Sequence, residues 1–288
     1  MKKVRKAIIP AAGFGTRMLP ATKAIPKEMI TLIDKPVIQY AVEEAVSSGI
    51  ETIVLITSKH KKSIEDHFDK NFELEEILKK GGKEKELEKI LELANCCEIV
   101  SIRQKEQRGL GDAVYCAKNI IGDEPFAVIL PDDVMLSKEP VIGQLIECYN
   151  KVEKSVVALQ EVQMEDVSKY GIVSVKEKIE ERLFLLDDMV EKPKENPPST
   201  YAIIGRYVLD SNVMKNIGEI TPGALGEIQL TDAIKKEAIS SKVFGYLFKG
   251  ERYDCGNVNG YLDAIINFAL ERDDLRDYLV QIIKNKFL

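Results

Sequence analysis

Apolar residues recur along this chain with two different spacings. Compact apolar runs occupy Ala7–Ala12, Thr52–Thr57 (TIVLIT), Phe126–Leu130 (FAVIL), Val156–Val162 and Ala202–Val208, and Glu98–Arg103 looks like another. Short runs of this kind read as strands buried on both faces. Between them the spacing lengthens. Ile38, Ala41, Val42 and Ala45 share one face of a helix over Val37–Val46, and a second helix is expected over Asp112–Ile121. Strands that alternate with helices build a mostly parallel sheet with helices on both faces. The expected fold class is therefore α/β.

Two segments depart from the alternation. Glu73–Glu92 is dense in Glu and Lys, with apolar Leu74, Ile77 and Leu78, then Leu87, Ile90 and Leu91, interrupted by Gly81-Gly82. It reads as an exposed helical pair with a solvated face and no chemistry. Tyr261–Phe287 reads as one or two amphipathic helices whose stripe is Leu262, Ile265, Ile266 and Ala269. That stripe serves packing or self-association. There is no Pro/Ser-rich linker and no repeat, so a single domain over 1–288 is expected.

Composition narrows the function. Hydrophobic residues make up 45% of the 288 positions and charged residues 31%, enough for a sizeable core under a polar surface. A net charge of −6 argues against a nucleic-acid footprint. It leaves a phosphorylated substrate open, because local Arg and Lys can outweigh a distant surplus. The basic start lacks an apolar h-region, so no secretory signal is expected, and no apolar run is long enough to span a bilayer. A cytoplasmic location is expected. Cys96, Cys97, Cys116, Cys148 and Cys255 match no metal or redox spacing. The only histidines, His60 and His67, lie in a polar helical stretch, so any mechanism must do without a histidine base.

The first strand leads into Ala11-Ala12-Gly13-Phe14-Gly15-Thr16-Arg17, and Lys27-Glu28 follows ten residues later. A buried strand feeding a Gly-rich loop presents backbone N–H groups to an anion. The loop is neither a Walker A loop, which ends Gly-Lys-Ser/Thr, nor a dinucleotide fingerprint, whose third Gly is replaced here by Met18. Taken alone it also fits a tight turn.

Further clusters stand where such sheets carry functional loops, at strand C-terminal ends. Arg103–Val114 (RQKEQRGLGDAV) offers Gln104, whose amide can both donate to and accept from a base edge, and Gly109 and Gly111, which let backbone approach a flat ring. Asp132 and Asp133 leave the FAVIL strand, where a carboxylate suits a hard cation or caps a turn. Adjacent side chains on extended backbone diverge, so one of the two is expected to ligate. Asp254 is a second strand-end candidate. Glu191 suits vicinal sugar hydroxyls, and Lys192 suits the sugar's phosphate as a point charge.

The order AAGFGTRMLP, PKEM, QRGLGDAV, LPDD, YGIV, VEKP, IIGRYVL, GEIQLTDAI and YDCGN resembles the bacterial UTP–glucose-1-phosphate uridylyltransferases, within the sugar-nucleotide pyrophosphorylases. The resemblance spans residues 5 to 270. It implies a Rossmann-like nucleotidyltransferase fold with a mixed, mostly parallel central sheet. A nucleotide-binding half would occupy 5–135, a sugar-phosphate half 136–260, and C-terminal helices 261–288. The implied reaction is UTP plus glucose 1-phosphate to UDP-glucose plus pyrophosphate, with Mg²⁺, in a homodimer or homotetramer. By the same resemblance, Ala11, Ala12 and Gly13 border the nucleoside. Gly15, Thr16 and Arg17 cradle the triphosphate beside Lys27. Gln104 and Gly109 read the uracil, and Glu28 touches the nucleoside. Asp132 holds Mg²⁺ with Asp254 as partner. Gly171, Glu191 and Gly205 contact the glucose, and Lys192 its phosphate. The implied catalytic residues are Arg17, Lys27 and Lys192.

That chemistry agrees with the residues present. A phosphate monoester has a second pKa of about 6, so it attacks without a base. What it needs is positioning and positive charge. The alternatives are a dTTP- or ATP-dependent relative, a non-catalytic nucleotide-sugar-binding subunit, and, against the missing third Gly, a dinucleotide-dependent oxidoreductase.

Overall fold

The computed structural model describes residues 2–222 and 226–287. Its strands in chain order are β1 (Lys6–Pro10), β2 (Thr31–Leu32), β3 (Lys35–Pro36), β4 (Thr52–Thr57), β5 (Glu98–Arg103), β6 (Phe126–Ile129), β7 (Asp133–Leu136), β8 (Val156–Glu161), β9 (Gly171–Lys178), β10 (Leu183–Glu191), β11 (Tyr201–Leu209), β12 (Val243–Leu247) and β13 (Glu251–Asp254). Nine of them form one sheet in the order β5-β4-β1-β6-β11-β8-β12-β10-β9.

Side-chain alternation explains why these runs are apolar throughout. Ala7 and Ile9 of β1, with Ile53 and Leu55 of β4, pack on one face against helices Val37–Ser47, Lys62–Phe68 and Val141–Val152. Ile8, Val54 and Ile56 point the other way, onto Leu110–Tyr115, Lys118–Ile121, Asn212–Glu219 and Leu230–Ser240. A strand with a core on each side has no polar face to show.

The sheet is mixed, and its parallel part is smaller than the alternation predicts. β5, β4, β1 and β6 run parallel, as do β8 and β12. β11 runs antiparallel to β6, β8 and β9, and β10 runs antiparallel to β12 and β9. β9 and β10 were not expected from the apolar pattern. β9 is apolar over its first half and ends in exposed Lys and Glu, β10 carries Asp187 and Asp188 after its apolar run and ends in half-buried Glu191, and a bulge interrupts their pairing. The helix expected over Asp112–Ile121 is two short helices. The acidic segment is a helical pair, Phe72–Lys80 and Glu84–Ala94, as expected, and the C-terminal stretch is Val258–Glu271 followed by Asp273–Phe287.

A third cluster joins the C-terminal helix to the site. Leu32, Val134, Tyr253, Cys255 and Ala264 pack together, and β7 pairs with β13 in a two-stranded ribbon. This ribbon places Asp254 opposite Asp133. No helix among the described residues is long and apolar enough to cross a membrane.

Candidate active site

The loop after β1 is shaped by one glycine. Gly15 has φ 65°, and a Cβ there would stand 2.9 Å from Lys27 Cβ and 3.2 Å from Thr22 Cγ2. Glycine thus meets both a left-handed backbone and a close approach. Thr22 Oγ1 donates to the Gly15 carbonyl at 2.8 Å, closing the loop over the segment that carries Lys27.

Two cavities open along the C-terminal ends of β1 and β6 and the adjoining middle of antiparallel β11. One, of about 320 Å³, is lined by Ala12, Gly13, Lys27, Glu28, Gln104 and Gly109, among others. The second, of about 310 Å³, is lined by Arg17, Gly171, Glu191, Lys192, Gly205 and Asp254, among others. Asp132, Leu110 and Leu130 line both. Ala12, Gly13, Glu28, Gln104 and Gly109, expected at a nucleoside, therefore gather in one cavity, Gly171, Glu191, Lys192 and Gly205, expected at a sugar phosphate, in the other together with Arg17, and Asp132 stands at the junction. Ala11, Gly15 and Thr16 line neither. Ala11 is buried behind the loop, its N–H donating to Ile56 O at 2.8 Å, and Thr16 is exposed.

In the first cavity Gly109 has φ +99°, and a Cβ there would meet Ile228 O at 2.6 Å. Gln104 is buried and donates through Nε2 to Asp112 Oδ2 at 2.8 Å and toward Gly109 O at 3.4 Å. That use of the donor end leaves the side-chain oxygen as the group free to accept. Glu28 is buried against Lys61, with Nζ to Oε2 at 2.5 Å, while its Oε1 has no hydrogen-bond partner. Burial raises the Glu28 carboxyl above its ordinary value, with Lys61 and Lys27 pulling it back.

At the junction the two adjacent aspartates diverge. Asp132 Oδ2 accepts from Lys27 Nζ at 2.6 Å. Asp133 is tied to Arg252, with Nη2 at 2.6 Å and Nε at 2.7 Å, and accepts from the Gly205 N–H at 3.1 Å. Burial opposes ionisation of both. For Asp132 the Lys27 charge and hydrogen bond outweigh it and hold the carboxyl below its usual range; for Asp133 burial prevails over Arg252 and the carboxyl is raised.

The family that the sequence resembles implies a divalent metal, and the acidic side chains at the junction fit one. A Cβ built on Gly256 would lie 2.7 Å from Asp132 Oδ2, 2.9 Å from Asp254 Oδ1 and 3.1 Å from Arg17 Nη2. The absence of a side chain at Gly256 thus lets the Asp132 and Asp254 carboxylates approach each other, and hard oxygens of this kind suit a divalent cation that keeps water and substrate phosphate as its other ligands. No group of three or more His, Cys, Asp or Glu suited to a metal occurs among the described residues. The substrate phosphates would have to complete the shell.

The second cavity is organised by the end of β10. Glu191 pairs with Gly171 in the β10–β9 register, and a Cβ on Gly171 would press to 3.1 Å from Glu191 Oε2. Lys192 has φ +47°, with its N–H donating to Tyr170 O at 2.9 Å. Consecutive strand residues face opposite sides; the left-handed turn at Lys192 brings both Glu191 and Lys192 to one cavity. Thr231, Tyr170 and Arg252 also line it, and sequence reasoning assigned none of them. Of their stretches, GEIQLTDAI stood out only through the family resemblance, and the other two drew attention for Gly171 and Asp254 rather than for Tyr170 or Arg252.

Comparison with known proteins decides the family. The description "Nucleotidyl transferase" matches residues 6–270. The chain belongs to the nucleotidyl transferase family. Within it, the chain is 50% identical over 285 residues to UTP–glucose-1-phosphate uridylyltransferase 2 of Staphylococcus saprophyticus, covering 99% of this chain and 98% of that protein. It is likewise 50% identical to UTP–glucose-1-phosphate uridylyltransferase of Bacillus subtilis, over 99% of this chain and 97% of that one. Among solved structures it is similar to a UDP-glucose pyrophosphorylase complexed with UDP-glucose, with TM-score 0.84, 43% identity and coverage of 93% and 100%. It is also similar to UDP-glucose pyrophosphorylase from Acinetobacter baumannii, with TM-score 0.91, 40% identity and coverage of 98% and 99%. The nucleotidyl transferase match runs through both cavities and stops within the C-terminal helix Val258–Glu271.

Proposed function

We propose that this chain transfers the uridylyl group of UTP to glucose 1-phosphate, giving UDP-glucose and pyrophosphate. The observation that carries the reading is the pair of adjoining cavities that meet at Asp132, one lined by the candidate nucleoside groups and the other by Glu191 and Lys192. Relatives of this name at 50% identity over nearly the whole chain support it.

The sugar phosphate needs no base, because its second pKa is about 6. Its oxygen attacks the α-phosphorus of UTP, and pyrophosphate leaves in line. Lys192 holds the incoming phosphate. Arg17 and Lys27 offset the charge that builds on the leaving side. Gln104 accepts from the uracil imide through its free oxygen, and the Gly109 turn lets backbone lie against the ring. Ala12 and Gly13 flank the nucleoside with Glu28, Ala11 supports them from behind the loop, and Gly15 and Thr16 shape the triphosphate cradle. Gly171, Glu191 and Gly205 receive the glucose. Asp132 and Asp254 would hold Mg²⁺, which supplies charge neutralisation between the two phosphates. The halves 5–135 and 136–260 divide the labour along the two cavities of a single domain. Exposed Leu262, Ile266 and Tyr278 on the C-terminal helices support a homodimer or homotetramer, and the enzyme works in the cytoplasm.

The test is pyrophosphate release from UTP, dTTP and ATP with glucose 1-phosphate or galactose 1-phosphate. UTP with glucose 1-phosphate should give the largest kcat/KM. A higher value with ATP or dTTP overturns the assignment. The dTTP margin is bounded, because a pocket rejects one methyl by only about 10–200-fold.

A further inference from the structure

The GEIQLTDAI segment has no part in the transfer as described, yet it crosses both cavities. Ile228 N–H donates to Arg108 O at 2.7 Å, and Ile228 O accepts from Gly111 N–H at 2.8 Å, which ties the segment to the nucleoside loop. Three residues later Thr231 enters the first turn of helix Leu230–Ser240, almost fully buried, and lines the sugar-side cavity. Its Oγ1 donates to Glu191 Oε2 at 2.6 Å. Among the described residues this is the one side-chain hydrogen bond that Glu191 accepts. The other carboxylate oxygen, Oε1, stands 3.6 Å from Lys192 Nζ.

We propose that Thr231 is the positioning residue that sets sugar selectivity, by pinning one oxygen of Glu191 and leaving the other for the hydroxyls of the sugar. The inference rests on the reading of Glu191 as the sugar's carboxylate. A hydroxyl donating to a carboxylate at this distance is a strong, directional tether. Without it, the nearest charge to Glu191 is Lys192. The carboxylate then turns toward that ammonium, and two groups leave their posts together: the acceptor for the sugar and the cation for its phosphate. The nucleoside cavity loses nothing, because no candidate nucleoside residue bonds to Thr231. Gly171 belongs to the same arrangement. A Cβ there would stand 3.1 Å from Glu191 Oε2 and 3.2 Å from Thr231 Oγ1, so only glycine leaves the tether undisturbed.

The experiment is steady-state kinetics on Thr231→Val, which keeps the shape and removes the O–H, beside Thr231→Ser, Thr231→Ala and Glu191→Gln, with thermal melts of each. For Thr231→Val the KM for glucose 1-phosphate should rise about tenfold or more, as for loss of a hydrogen bond to a charged group. The KM for UTP should stay within about twofold by the same argument. The preference in kcat/KM for glucose 1-phosphate over galactose 1-phosphate should narrow, and Thr231→Ser should restore both. If the valine variant does not fold, the alanine variant is read by the same criteria. Equal changes in both KM values, an unchanged sugar KM, or a serine variant as impaired as the valine one overturns the proposal. Glu191→Gln separates the two layers. If it leaves the sugar KM unchanged, the role of Glu191 itself falls. If it raises that KM while Thr231→Val does not, only the tether falls.

Discussion

At the residue scale, the site is a set of charges with few partners. Arg17 keeps most of its side chain exposed, 3.9 Å from Asp254, and Lys192 is 58% exposed. Neither does visible structural work, so each is free to meet a phosphate. Arg17→Ala and Lys192→Ala should each lower kcat about 100-fold or more, by analogy with loss of one preorganised transition-state donor, while thermal melting stays near that of the parent chain. Near-normal turnover in both would remove their assigned roles. The charged residues were legible in the sequence because Lys, Arg, Asp and Glu beside a strand end have few other uses. Their pairing was not. That Lys27 would hold Asp132, and Arg252 hold Asp133, depends on which way two adjacent side chains turn at a strand end. The free oxygen of Gln104 was likewise hidden, because Asp112 lies eight residues away and is brought back by a helix.

At the element scale, one buried ion pair holds the junction in place. Arg206, in β11, is buried and bonds Glu44 of helix Val37–Ser47 through Nε at 3.1 Å and Nη2 at 2.7 Å. Its Nη1 donates to Leu130 O at 2.9 Å, two residues before Asp132. Glu44 also accepts from Ile142 N–H at 3.0 Å. The pair therefore fastens the β6 end to a helix on one face of the sheet. Arg206→Met should destabilise the fold by about 3–5 kcal/mol, because Glu44 is left buried and unpaired; urea unfolding of the variant measures it, and a loss below about 1 kcal/mol would show that the site relaxes. The strands of the first half were readable because parallel strands buried on both faces are apolar throughout. β9 and β10 were not, because charged residues follow or interrupt their apolar runs, and helix and strand patterns blur there. The two short helices at Leu110–Tyr115 and Lys118–Ile121 share one apolar stripe, so periodicity alone merges them.

At the scale of the whole molecule, one half-buried histidine beside the core makes stability depend on pH. His67 lies at the edge of the first core, its Nε2 3.0 Å from Gln39 Oε1, and burial lowers it below its ordinary 6.5. A base with a lowered folded pKa binds more protons when unfolded, so stability rises with pH through this window and is lost as pH falls below 6.5. Urea midpoints taken between pH 7.5 and 5.5 should therefore fall with pH in the parent chain and fall less in His67→Gln. An equal fall in both would assign the slope elsewhere. The α/β class and the helices on both faces followed from the alternation of apolar runs. The division into two adjoining cavities did not, since it arises where the parallel β5-β4-β1-β6 half meets antiparallel β11. Only the folded sheet brings Gly171, Glu191 and Thr231 beside a loop that begins at residue 11.

The transfer is defined by the bond that forms at the junction of the cavities. Glucose 1-phosphate labelled with ¹⁸O at the non-bridging phosphate oxygens, incubated with UTP, Mg²⁺ and the chain, and followed by ³¹P NMR, reads that bond directly. Attack of the sugar phosphate on the α-phosphorus places ¹⁸O in the P–O–P bridge of UDP-glucose and leaves the pyrophosphate unlabelled. Label in the pyrophosphate, or UDP-glucose whose phosphates carry none, would contradict it.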